Sequence, residues 1–349
     1  MTESEAREEQ VLEAVGQRRE RVNDAIPEEL PITDPERLYE ASRYLLDAGG
    51  KRLRPTVLLL VAEALADVEP LAADYRSFPS LTGGDVDVMS AAVSVEVIQS
   101  FTLIHDDIMD DDDLRRGVPA VHREYDLETA ILAGDTLYSK AFEIMLDTGA
   151  EADRTVRALD VLATTCTNIC EGQALDVEFE TSSGVLTEDY LEMVEQKTAV
   201  LYGASACVPA LLLGADEETV EQLYGYGIDV GRAFQIQDDV LDLTVPSEKL
   251  GKQRGSDLVE GKQTLLTLHA RQQGVDVDSL VDAESVEAVT EAEIDEAVAE
   301  LEAAGSIDYA RDTAAELVES GKDRLEVLPD NEARHLLEQL ADYLIERGY

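Results

Sequence analysis

MSAAVSVEVIQSFTLIHDDIMDDDDLRRG, residues 89–117, decides the fold. From Met89 to His105 it is apolar around most of a helical circumference, the pattern of a helix enclosed by other helices. It then runs without a break into Asp106-Asp107-Ile108-Met109-Asp110. Residues three and four apart share a helix face, so this spacing aims carboxylates into one volume. The same DDxxD pattern returns at Asp238-Asp239-Val240-Leu241-Asp242, closing a helical stretch that begins near Glu217. Both sit where charge is awkward. A negative helix C-terminus opposes the macrodipole, and clustered carboxylates repel one another unless a cation lies between them.

Outward from this stretch, helical periodicity dominates. It predicts helices over 35–48, 55–66, 89–105, 127–146, 156–173, 187–213, 217–243, 264–273, 310–327 and 331–347. The first opens on Asp34-Pro35, read as a cap and a first-turn proline, and closes at Gly49-Gly50. Loops are expected at 71–87, 181–184 and 246–261, with a polar acidic stretch over 275–296. Alternation bounded by hairpin turns, a fixed-period repeat and a linker of domain-boundary character are all missing from the sequence. The expected fold is all-α, with residues 1–349 forming a single domain, one large helical bundle.

The chain has 349 residues and a formal net charge of −48, from 76 acids against 28 bases. Such a field repels phosphate backbones and anionic lipid, which excludes nucleic-acid and membrane-surface binding as leading functions. The acids are spread along the whole chain, as on a solvated surface, and imply a halophilic source in which salt screens self-repulsion. Cys166, Cys170 and Cys207 have no second ligand pair, so buried thiols in a cytoplasmic protein are expected. The N-terminus MTESEAREEQ is acidic and helical, unlike a signal peptide, and the sequence shows no run of 18 apolar residues that would span a membrane.

With 35 aspartates present, chance alone gives about 0.3 DDxxD matches. Two matches at apolar helix ends exceed that. Magnesium takes hard oxygen ligands and is commonly held by one or two carboxylates plus substrate phosphates. The bases point the same way. The sequence contains Lys51, Lys140, Lys197, Lys249, Lys252, Lys262 and Lys322 as its only lysines. Lys51 lies in Gly49-Gly50-Lys51-Arg52-Leu53-Arg54-Pro55, Arg115-Arg116-Gly117 follows the first acidic motif, and Lys252 and Lys262 follow the second. Arginine forks and lysine point charges are the usual partners of diphosphate.

GGKRLRP, LIHDDIMDDDDLRRG, GDTLYSKAFE, EGQALDVEF, the QKT at Gln196–Thr198, and FQIQDDVLDL followed by GKQRGSDLVEGKQT resemble the trans-isoprenyl diphosphate synthases. This family includes the farnesyl and geranylgeranyl diphosphate synthases, and the ordered set spans 49–266. The resemblance implies a helical bundle around a central cavity, isoprenoid diphosphate substrates, Mg2+ (three per active site) and a homodimer. Asp106, Asp107, Asp110, Asp238, Asp239 and Asp242 would bind the metal. Lys51, Arg54, Gln99 and Arg116 would bind isopentenyl diphosphate. Gln99 stands where many bacterial members have His, and glutamine can still donate to a phosphate oxygen. Arg115, Lys197, Thr198, Gln235, Lys252 and Lys262 would bind the allylic diphosphate, with Lys197 also in the catalytic set. No protein nucleophile is needed.

Product length in this family is set one to two turns before the first motif, here at Phe101 and Thr102. An aromatic at the fifth position upstream, a small residue at the fourth and no insertion in the motif resemble archaeal geranylgeranyl synthases; farnesyl and C25 products are the alternatives. A class I terpene cyclase or a head-to-head synthase fits less well, because of the second DDxxD and GGKRLRP. A silent partner subunit would tend to lose one acidic motif. A calcium loop would need alternating ligands and a central glycine, which Asp110–Asp113 lacks.

Overall fold

The computed structural model describes residues 3–179, 181–182, 184–247, 253–281, 285 and 288–346. In chain order its helices are α1 (Glu3–Glu29), α2 (Glu36–Asp47), α3 (Leu53–Ala66), α4 (Val88–Met109), α5 (Val121–Glu124), α6 (Leu127–Leu146), α7 (Ala152–Phe179) and α8 (Thr187–Val194). They continue as α9 (Val200–Leu213), α10 (Glu217–Thr244), α11 (Ser256–Val259), α12 (Leu265–Gln272), α13 (Glu291–Ala303), α14 (Ser306–Arg324) and α15 (Glu332–Glu346). The all-α expectation holds. Contacts divide the chain into two compact units.

The first unit comprises 1–166, 201–227 and 324–340. Its centre is α4, packed against α3, α6 and α1. Asp87 caps α4 by accepting the Ser90 N–H at 2.8 Å, so the entry to this apolar helix is fixed by one side chain. Val93, Val97, Ile98, Phe101 and Ile104 are buried along it. By length and composition α4 could cross a membrane, but 78% of its apolar window lies inside the protein, as befits a core helix. The neighbouring α3 is buried nearly all round, and its one acid, Glu63, is satisfied from three directions. Arg18 of α1, the Tyr75 hydroxyl at 2.5 Å and the Leu71 N–H at 2.7 Å all donate to it. An interior carboxylate is tolerated only when paired and hydrogen-bonded in this way.

The second unit comprises 167–200, 228–323 and 341–349. Here α12 packs against α8 and α13. A capping box opens α13: Thr290 accepts the Glu293 N–H, and Glu293 accepts the Thr290 N–H at 2.9 Å.

The structure corrects the sequence reading in several places. The helix expected over 187–213 is interrupted by a π turn at Glu195–Ala199. The acidic stretch over 275–296 holds a short 3-10 turn at Val277–Ser279 and the start of α13. The polar faces of α13 hid its buried positions Ile294, Ala297, Val298 and Leu301. Two-residue hairpins appear where no strands were expected: β1 (Phe78–Pro79) with β2 (Asp85–Val86), and β3 (Leu114–Arg115) with β4 (Val118–Pro119). They are too short for alternation to register. Pro35 is itself the N-cap of α2, in extended conformation, so Asp34 does not cap that helix. Cys166 and Cys207 are buried, whereas Cys170 is exposed on α7.

Candidate active site

In the first unit, the first DDxxD ends α4, and Asp110 is its C-cap, its N–H donating to the Asp106 carbonyl at 2.8 Å. Asp107 has no solvent exposure. Arg115 Nε donates to its Oδ1 at 2.6 Å, while Oδ2 is buried with no hydrogen-bond partner. Burial pushes this carboxyl up to about 6, against the opposing pull of Arg115. Arg115 also reaches Asp112 Oδ2 at 2.8 Å.

Arg116-Gly117 of the RRG sequence is the turn of the β3–β4 hairpin. Arg116 and Gly117 both have positive φ, 56° and 79°, the demand of a two-residue hairpin turn. That turn presents Arg115 to the acidic motif. It also carries Arg116 to the GGKR loop, where its Nη1 donates to the carbonyls of Leu45 at 2.9 Å and Gly49 at 2.5 Å. Gly50, at φ 136°, passes so close that a Cβ there would lie 2.9 Å from Arg116 Cζ. Lys51 is exposed on this loop. Arg54 lies over the Tyr202 ring at 4.3 Å, with its Nε buried and without a hydrogen-bond partner. Gln99 is half-buried on α4.

One to two turns before Asp106, Phe101 is buried and Thr102 half-buried. Phe101 meets Tyr138 of α6 edge-on at 5.4 Å and His105 at 5.9 Å. Tyr138 in turn meets Phe142 at 5.2 Å. His105 lies against Gly134, where a Cβ would come within 2.2 Å of its Nε2. Sequence reading singled out Phe101 and Thr102; Tyr138 was missed, because it lies on a different helix, 37 residues from Phe101.

In the second unit, Tyr190, Lys197, Thr198, Gln235, Asp239 and Lys262 line one cavity of about 110 Å³. A hydrogen-bond chain crosses it: Thr198 Oγ1 donates to Gln235 Oε1 at 3.1 Å, and Gln235 Nε2 to Asp239 Oδ1 at 3.0 Å. The buried Tyr190 hydroxyl donates to Asp239 Oδ2 at 2.6 Å. Burial, then the nearby Asp257, pushes the Asp239 carboxyl up to about 8. Lys197 Nζ meets Asp176 at 2.6 Å, and Lys262 meets Glu260 at 3.0 Å. Asp242 accepts from Ser256 Oγ at 3.0 Å and from the Asp257 N–H at 3.2 Å, so it holds the start of α11.

Lys197 and Thr198 belong to the π turn, which displaces them from regular α positions. Gly172 of α7 makes room for it: a Cβ there would lie 2.3 Å from the Lys197 nitrogen. Asp176, Tyr190 and Asp257 also line the cavity and were not singled out from sequence, although EGQALDVEF and GSDL contain two of them. Lys252 lies outside the described residues. Among the described residues no group of three or more acidic, His or Cys side chains is placed to hold a metal ion.

The polyprenyl synthetase family model matches residues 35–301. The chain belongs to this family. It is 73% identical over 344 residues to a geranylfarnesyl diphosphate synthase of Natronomonas pharaonis, covering 97% of this chain and 98% of the relative. It is 51% identical over 339 residues to a geranylgeranyl diphosphate synthase of Methanosarcina mazei, covering 97% and 98%. Among solved structures, the geranylgeranyl pyrophosphate synthetase of Pyrococcus horikoshii matches with a TM-score of 0.85 at 37% identity, covering 97% of this chain and 99% of that chain.

Proposed function

We propose that this prenyltransferase joins isopentenyl diphosphate head-to-tail to an allylic diphosphate, with geranylgeranyl diphosphate, C20, as its product. The carrying observation is the aromatic contact of Phe101 with Tyr138 and His105, one to two turns before the first acidic motif. A second reading is a C25 product, favoured by the 73% identity to the Natronomonas protein.

Asp106, Asp107, Asp110, Asp238, Asp239 and Asp242 are assigned to magnesium. The buried, unpartnered Asp107 Oδ2 supports this, since a hard carboxylate oxygen kept from solvent and from donors suits a cation. When bound, magnesium supplies Lewis-acid neutralisation of the diphosphate leaving group. Lys51, Arg54, Gln99 and Arg116 hold isopentenyl diphosphate in this proposal. Arg115, Lys197, Thr198, Gln235, Lys252 and Lys262 hold the allylic diphosphate and offset the charge that grows as its C–O bond breaks. The double bond of isopentenyl diphosphate forms the new C–C bond, and a proton passes to the released diphosphate. The assigned setting is the cytoplasm, as a homodimer. The exposed row Leu127, Ile131, Leu132, Tyr138 and Leu146 on α6 is apolar surface that a second copy would cover.

The test supplies magnesium and isopentenyl diphosphate with C5, C10 or C15 allylic diphosphate in concentrated salt. Chromatography of the products should show linear chains ending at C20. A dominant C25 chain selects the second reading, and cyclic products or none would overturn both.

A further inference from the structure

We infer that Glu96 is a positioning residue for isopentenyl diphosphate: it sets the edge that the Arg116 guanidinium presents to the diphosphate. The inference rests on the proposed role of Arg116. Glu96 lies on α4, one turn before Gln99, and is buried. Its Oε1 accepts from Arg52 Nη1 at 2.5 Å and from Arg116 Nη2 at 3.2 Å. One carboxylate thus joins two bases from separate loops, GGKR and RRG.

The two arginines are used differently. Arg52, in the left-handed region at φ 51°, donates through Nε to Asn23 at 2.9 Å, through Nη2 to the Leu46 carbonyl and through Nη1 to Glu96. All three of its nitrogens are committed to the protein, so Arg52 is a strut, although it sits inside the diphosphate-binding motif. A guanidinium has five N–H donors. Arg116 gives two through Nη1, to Leu45 and Gly49, and one through Nη2, to Glu96, among the described residues. Its Nε–H and the second Nη2–H are the donors left for an anion. Two such donors form the fork that grips phosphate oxygens in bidentate fashion. Glu96 fixes one edge of the guanidinium, and Gly50 packs close against it, since a Cβ there would lie 2.9 Å from Cζ. Two positive charges against one negative also leave the cluster a net cation.

Steady-state kinetics of folded variants in concentrated salt test this. Glu96→Gln should raise KM for isopentenyl diphosphate about tenfold, with kcat and the allylic KM changed less than about twofold. Glu96→Asp, which keeps the charge, should recover part of the loss. If Glu96→Gln fails to fold because Arg52 is left unpaired, Glu96→Gln/Arg52→Gln neutralises both partners and should give the same raised KM. Arg116→Ala separates the two levels. If it leaves the isopentenyl diphosphate KM unchanged, the role of Arg116 itself fails. If it raises that KM while every folded Glu96 variant stays within about twofold of wild type, or if kcat and both KM values move together, the positioning role of Glu96 is overturned.

Discussion

Asp107 and Cys207 are both sealed in the protein, with opposite consequences. Asp107 keeps one oxygen unpartnered, and an interior acceptor without a donor typically costs about 1–3 kcal/mol. Its place at the centre of the acidic motif gives that expense a use. The Cys207 thiol is pushed up to about 12 by burial, so its thiolate is scarce at any working pH. Brief alkylation of the native protein at pH 8 should therefore modify Cys170 and spare Cys207 and Cys166. Peptide mass spectrometry would read this, and after unfolding all three should react. Phe101 is a different kind of residue, since its bulk carries the effect. Phe101→Ala should shift products toward chains at least one C5 unit longer, and Tyr138→Ala, which removes the support behind the ring, should shift them in the same direction by less. An unchanged distribution in both variants would argue against a gauge at this place.

At the scale of elements, the π turn is the feature that sequence reading could not supply. Residues 187–213 have helical periodicity throughout, and one extra residue in a turn leaves that pattern nearly intact. What betrays the π turn is a partner far away in sequence, Gly172, whose missing side chain admits the Lys197 backbone. Gly172→Ala should displace Lys197 and Thr198. We expect a fall in kcat of roughly tenfold or more, because a shift of about 1 Å at a catalytic group commonly costs up to two orders of magnitude. Circular dichroism should stay helical, and a variant with wild-type kcat would contradict the importance of this contact. The long apolar helices were legible because burial writes itself into periodicity; 127–146 matches α6 end for end. The acidic motifs and the bases beside them were legible as local strings. Tyr190 was not, because a buried tyrosine resembles any core residue until its hydroxyl is found 2.6 Å from Asp239. Nor was Glu96, one acid among 76 until its two arginines are seen.

The whole molecule carries a net charge of −48. At 1 M salt the screening length is about 3 Å, against about 10 Å at 0.1 M, so salt removes most of the repulsion between exposed carboxylates. The melting temperature should rise by several degrees between about 0.1 and 2 M KCl, and scanning calorimetry would show it. Falling stability or precipitation in molar KCl would contradict a halophilic surface. The same composition bears on the amines. Lys51 is exposed, while Lys197 and Lys262 line the cavity beside Asp239. In an ordinary protein, a reducing sugar or an amine-coupling resin spends itself on dozens of indifferent surface lysines. Here the amines are few, seven lysines in all, and several are assigned to the proposed substrate site. Glycation, or immobilisation through lysine, should therefore silence the enzyme at low degrees of modification, with substrate protecting the very groups under attack.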